Sequence, residues 1–321
     1  MTGKAIDDAF YDDYADRWLK SHDANETSLQ TAVEKFLRWQ GDDVAEKLES
    51  LLGASGKSFG RKSAADSADD LLPHVFTPSA WTKAFADAIE PALAYATAAG
   101  ASHELASFSD WSGKPLKPPA NAPAAGKAAT LGYDFGVDFP PDMLAGIEAA
   151  VNDALSKDYW AEIQETTKDR LAEVLTDSLD QGQDPRTITK RVRDEVFDGA
   201  AATKRARTIA RTETTNMLNA GQDVARQELS REGLITGKEW FATYDGLTRP
   251  THFAANGQRK GVDEDFDVGG HPAKYPGDPE LPAKERANCR CVASSVTALT
   301  KRVRAPLVKG LLSRGCEIHG R

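Results

Sequence analysis

Cysteine is scarce in this chain: only Cys289, Cys291 and Cys316 occur in 321 residues. So few thiols cannot build a disulfide framework, and they point to a reducing compartment. Long hydrophobic runs are lacking too. No stretch approaches the roughly 18 apolar residues of a membrane helix, and mean hydropathy is −0.50, so no membrane partner is expected. The start, "MTGKAIDDAFYDDYADRW", is acidic and has no apolar core of a secretory signal. Neither a phosphate-binding loop nor a G-x-S-x-G nucleophile turn is present. Positive charge is in deficit, with 40 Lys+Arg against 49 Asp+Glu and a net charge of −9. That balance opposes wholesale wrapping of nucleic acid.

The charge is unevenly spread. Residues 1–52 hold 6 Lys+Arg against 12 Asp+Glu, whereas residues 301–321 hold 6 Lys+Arg against one Glu. Such asymmetry hints at different partners for the two ends, or at solvated faces without a partner. Local basic patches that could meet DNA are Lys190, Arg191 and Arg193, and the tail cations Lys301, Arg302 and Arg304.

What the chain has is helix signal. Leu29, Val33, Phe36, Leu37, Val44, Leu48 and Leu51 recur at three- and four-residue steps, an amphipathic stripe. "FTPSAWTKAFADAIE" starts a second helix, with Thr77 as N-cap and Pro78 at the first helical position. Pro91 is expected to kink or end it. Residues 107–141 carry 6 of the 16 prolines and read as an extended linker. In it, "GYDFGVDF" reads as an ordered strap. A long helical block follows over 142–233. It is punctuated by Gly182, by Asp184 as N-cap with Pro185 after it, and by Gly233.

From residue 234 the character changes. "GKEWFATYDG" and "CRCVASSV" favour strand, and between them lie about forty residues rich in Gly, Pro and Asp. The expected fold is therefore mainly α: a long-helix bundle or stalk followed by a small α+β C-terminal domain. Its boundaries are 1–106 helical N-terminal region, 107–141 linker, 142–233 helical block, 234–300 small domain and 301–321 basic tail.

Cys289 and Cys291 would point the same way along a strand, and a bridge between i and i+2 suits disulfide geometry poorly. With His252 and His271 from the intervening loop they compose a tetrahedral Cys2His2 set, and a structural zinc ion would staple that loop. The competing reading makes both thiols small buried apolar residues. "TYDGLTRPTH" gathers Asp245, Thr248, Arg249 and His252 within eight residues. A catalytic use would make His252 a general base and Arg249 an anion clamp. A structural use would have Asp245 and Arg249 pin the turn. Upstream, Arg211 and Glu213 in "IARTET" either anchor their helix to the small domain or face solvent.

The ordered string of a long helical block, "IARTET", "WFATYDGLTRPTH", "HPAKYPGDPELP" and "NCRC" resembles the phage Mu F-like minor head proteins, also called head morphogenesis proteins. The resemblance covers roughly residues 150–297. Its motif positions are Arg211, Glu213, Trp240, Asp245, Thr248, Arg249, His252, His271, Cys289 and Cys291. It implies a low-copy internal head component of a tailed phage or prophage, assembled in the host cytoplasm and placed inside the capsid near the portal. The implied partner is the portal protein, with the major capsid or scaffolding protein and double-stranded DNA as further partners. No catalytic residue comes with the family, and the expectation is a non-enzyme. Two other classes compete: a metal-dependent nuclease or toxin-like enzyme, distinguished by an open coordination position, and a DNA-binding protein of the packaged genome, distinguished by steep salt dependence.

Overall fold

The computed structural model describes residues 8–54, 67–106, 135–137, 139–243 and 246–296. The fold is mainly α, with long helices and a small C-terminal region of short antiparallel strands. Helix α1, Asp8–Ala54, runs for 47 residues, and its stripe from Leu29 to Leu48 is buried as the spacing requires. Helix α2, Ala68–Val75, opens with a reciprocal cap. The Asp70 amide donates to Ser67 Oγ at 3.2 Å, and the Ser67 amide donates to the Asp70 carboxylate at 3.3 Å.

Helix α3, Pro78–Ala106, begins at the expected proline but does not end at the second one. Pro91 lies inside it. A proline withholds one backbone donor from the carbonyl four residues earlier. Beyond it Leu93, Ala94, Ala98, Ala101 and Leu105 are fully buried, and that packing carries the helix through the gap.

Helices α4 (Pro141–Leu155), α5 (Tyr159–Asp180), α6 (Pro185–Val192) and α7 (Gly199–Arg231) fill the block expected to be helical. Asp184 caps α6, accepting from the amides of Arg186 at 3.0 Å and Thr187 at 3.2 Å. Gly182 (φ +64) and Gly233 (φ +68) supply the left-handed residues that stop α5 and α7. The sequence gives no warning of the π-helical turn Arg193–Phe197 between α6 and α7.

The chain forms two compact units, each built from segments distant in sequence. One comprises Gln30–Ile89 and Leu155–Thr208. Its core packs Phe36 at a tilt against Phe85 (centroids 4.9 Å) and Phe85 edge-on to Trp160 (5.4 Å), beside a buried Gln40–Gln164 hydrogen bond of 2.8 Å. The other comprises Met1–Leu29, Glu90–Ala154 and Ile209–Arg321. It holds strands β1 (Gly237–Phe241), β2 (Arg259–Lys260), β3 (Phe266–Val268), β4 (His271–Ala273) and β5 (Val292–Val296), and the short helices α8 (Pro250–Ala255) and α9 (Ala283–Arg286).

The order β2-β1-β5 is antiparallel, with Trp240 opposite Ala293, and β3 pairs with β4 as a separate hairpin. Trp240, Phe266, Val268, Leu281, Cys289 and Cys291 form the core of this small region. Phe135 and Phe139 are buried and edge-on to one another, and Phe135 also meets Tyr95 edge-on. Residues 107–134 and 138 of the expected linker, Asp245, and the tail with Lys301, Arg302, Arg304 and Cys316 lie outside the described residues.

Candidate functional site

The small region is seated on α7 by a row of polar side chains. Thr212, Thr215, Asn219, Gln222 and Arg226 follow one another at three- and four-residue steps, so they share one helix face. Thr212 Oγ1 accepts the Asn288 amide at 3.0 Å, and Thr215 Oγ1 donates to the Cys289 carbonyl. Asn219 bonds both the Cys291 carbonyl and the Ala293 amide at 3.1 Å. Arg226 donates to the Ala293 carbonyl at 2.7 Å, and Tyr14 of α1 reaches the same oxygen at 3.1 Å. The backbone entering β5 thus finds its partners in side chains, which cover the outer edge of that strand.

A second polar layer lies beneath this one. Gln222 donates to Tyr14 Oη at 2.8 Å and meets His103 Nδ1 at 3.1 Å. Arg226 and Glu104 are both fully buried, 3.7 Å apart. Burial raises the Glu104 carboxyl above its ordinary range, and the Arg226 guanidinium pulls it back in part. Burial also lowers His103 to about 3.

Cys289 and Cys291 do not lie on the strand, which begins at Val292. Asn288, in the left-handed region at φ 56, turns the chain just before them. Their sulfurs nonetheless converge with His252 from α8, and His252 Nδ1 and the two sulfurs all lie within 4.8 Å of one another. His252 Nδ1 is 3.3 Å from Cys291 Sγ and 3.7 Å from Cys289 Sγ. All three residues are buried to 2% exposure, which removes bulk water as a competing partner. Hydrogen bonding from the Cys289 thiol, and then from His252, holds Cys291 well below the usual thiol range against the opposing effect of burial. The same thiol–thiol bond, with burial, pushes Cys289 up.

On its other side His252 Nε2 stands 3.4 Å from a Glu285 carboxylate oxygen, at ion-pair distance but not aligned as a hydrogen bond. Thr251 donates to the same carboxylate at 2.7 Å. The Trp240 ring meets His252 edge-on, with centroids 5.8 Å apart. His271, on β4, is half-buried and lies outside the three-residue group.

The remaining motif residues bond to the chain itself. Arg211 forks onto Glu26 with contacts of 3.1 and 2.9 Å. Glu213 is buried, accepts from Asn216 at 3.2 Å and lies 3.7 Å from the Arg286 guanidinium. Thr248 donates to the Thr243 carbonyl, and Arg249 donates to the carbonyls of Glu285 and Ala287. The basic patch at the end of α6 and the start of the π-helical turn is internally paired as well. Lys190 lies 2.7 Å from Asp194, Arg191 bridges Asp177 (2.8 Å) and Glu195 (2.7 Å), and Arg193 lies 3.3 Å from Asp42.

Residues 169–294 match the family model described as Phage Mu protein F like protein. This stretch is similar to the Mu F-like family. The match spans α7, the small region and its polar seat, and the family is one of phage head proteins. Two curated relatives overlap about the same length of chain. The "NAD(+)--arginine ADP-ribosyltransferase EFV" of Enterococcus faecalis is 33% identical over 133 residues, 40% of this chain and 26% of that protein. The "Uncharacterized protein YqbB" of Bacillus subtilis is 31% identical over 135 residues, 40% of this chain and 42% of that protein. The chain therefore spans less than half the length of either. No solved structure matches. No helix among the described residues is long and apolar enough to cross a membrane.

The row on α7 escaped the sequence reading, which took only Arg211 and Glu213 from that helix. Its signal was legible: hydroxyls, carboxamides and one arginine at helical spacing, where an amphipathic helix would carry apolar residues.

Proposed function

We propose that this protein is a minor head protein of a tailed phage or prophage, working by assembly rather than by catalysis. Its place would be inside the capsid near the portal, after assembly in the host cytoplasm. The Mu F-like match over residues 169–294 carries the reading. The chemistry of the motif supports it, because Arg211, Glu213, Thr248 and Arg249 commit their polar atoms to Glu26, Arg286 and backbone carbonyls. Such residues hold a domain in shape for a partner to read. The portal is the partner the resemblance implies, with major capsid or scaffolding protein as secondary ones. The ADP-ribosyltransferase relative is matched over 26% of its length, and its named activity is not carried to this chain.

DNA contact would come at the expense of existing ion pairs. Lys190, Arg191 and Arg193 would have to exchange Asp194, Asp177, Glu195 and Asp42 for phosphates. The test is co-expression of the full chain with portal, scaffolding and major capsid proteins, followed by isolation of procapsids. Retention that survives nuclease and high salt, and is lost when the portal is omitted, supports portal binding. Retention that falls steeply with salt and vanishes after nuclease would replace this reading with DNA binding. Absence from procapsids overturns it.

A further inference from the structure

We infer that His252 Nδ1 and the thiolates of Cys289 and Cys291 form a zinc-binding site, with Glu285 as the carboxylate that orients the imidazole. The inference rests on the geometry of these four residues and is independent of the head-protein reading. With zinc–sulfur bonds of roughly 2.3 Å and a zinc–nitrogen bond of roughly 2.0 Å, tetrahedral geometry sets sulfur and nitrogen about 3.5 Å apart. The two observed separations, 3.3 and 3.7 Å, lie on either side of that value. The described residues thus supply three of the four positions around a tetrahedral ion, with His271 outside the set.

The surroundings of the three donors suit a metal better than apolar filler. The Cys291 sulfur receives the Thr243 backbone N–H, and the Cys289 sulfur receives the Cys291 backbone N–H. A neutral, packed thiol needs no such donors, whereas a metal-bound thiolate gains from each. The ring is held from the far side as well. With Nδ1 on the metal, the proton resides on Nε2, and that atom faces Glu285 at 3.4 Å. A carboxylate behind a ligating histidine fixes its tautomer and raises its basicity. Two soft sulfurs and one imidazole favour zinc over magnesium or calcium. On binding, the thiol protons leave to solvent. The ion would clamp α8, which carries His252, to the segment that leads into β5, and so close the loop of β2, β3, β4 and α9 between them.

The experiment is metal analysis of the full-length chain, then cobalt and zinc titration of protein stripped under reducing conditions. We expect a zinc ion per chain. Cobalt should give the intense near-ultraviolet thiolate charge-transfer bands and strong visible bands of a tetrahedral site, and zinc should displace it. This part needs no variant, so a folding defect cannot obscure it. Cys289→Ser, Cys291→Ser and His252→Ala should each abolish the cobalt bands, and His271→Ala should keep them. Glu285→Gln should keep the bands at saturation but weaken zinc affinity on the order of 10- to 100-fold. A stripped wild-type chain that gives no charge-transfer band, or cysteine variants that bind as wild type, would overturn the site. So would a Cys289–Cys291 disulfide in protein isolated under reducing conditions. Loss of metal in His271→Ala would overturn the three-ligand set.

Discussion

Asn219 clasps Ala293 from the side. Its Oδ1 accepts the Ala293 amide at 3.1 Å, and its Nδ2 donates to the Cys291 carbonyl at 3.1 Å. A side-chain carboxamide here does what a neighbouring strand would do for β5, and it joins α7 to the cysteine segment. Asn219→Leu keeps the bulk but leaves a buried carbonyl and a buried amide unpaired. The expected loss is about 2–4 kcal/mol, read as a lower urea midpoint with an unchanged slope.

Arg226 and Glu104 make a second forecast. Both side chains are fully buried and 3.7 Å apart. Removing the cation alone, as in Arg226→Met, leaves a carboxyl stranded and also takes away one of the two donors to the Ala293 carbonyl, the other being Tyr14. The expected cost is about 3–5 kcal/mol. Adding Glu104→Gln should recover part of it, because the two groups are coupled. A double-mutant cycle in chemical denaturation checks this, and strict additivity would refute the coupling.

The buried histidines set an acid limit. Burial lowers His22 from 6.5 to about 4 and His103 from 6.5 to about 3. Each is neutral in the folded protein over a range where the unfolded chain holds a proton. The stability they confer is full above pH 6.5 and drains as pH falls toward those lowered values. Each histidine should contribute a slope of about 1.4 kcal/mol per pH unit in that window. Glu104, whose carboxyl is raised by burial, works in the opposite direction, since it takes its proton in the folded state first. Denaturant melts at a series of pH values should show stability falling below pH 6.5, and His22→Gln should flatten the fall. His22 stands between Thr215 at 2.9 Å and Glu26 at 3.5 Å, so that variant also reports on the seat of α7.

Much of the fold was legible because it depends on local chemistry. Caps, the glycines that stop α5 and α7, and the three-four stripe of α1 act within a turn or two, and the sequence states them. Pro91 does not end α3, because its local cost is outweighed by packing from residues far away in the chain. The resemblance to Mu F-like proteins was legible as an ordered string of motifs, although its two cysteines are placed differently from expectation. Cys289 and Cys291 converge from a loop rather than from a strand, and Arg249 donates to carbonyls at and just after α9. Spacing alone admitted both His252 and His271 to a ligand set. Only the path of the loop separates them, because it packs His252 against Trp240 and places His271 on the β4 hairpin.

The crossing of α3 and α7 yields a prediction whose sign runs against helix propensity. A Cβ on Gly100 would sit 1.9 Å from the Leu218 carbonyl oxygen, and a Cβ on Gly221 would sit 1.8 Å from the Thr97 carbonyl oxygen. The obstacles are backbone atoms of the facing helix, so no side-chain rotation relieves them. Gly→Ala within a helix ordinarily gains about 1 kcal/mol. Here each substitution should instead cost about 1–3 kcal/mol net, the range expected for an overfilled core, and should lower the melting temperature. The double variant Gly100→Ala/Gly221→Ala should cost less than the sum of the singles. The first methyl already drives the helices apart, and the widened gap admits the second.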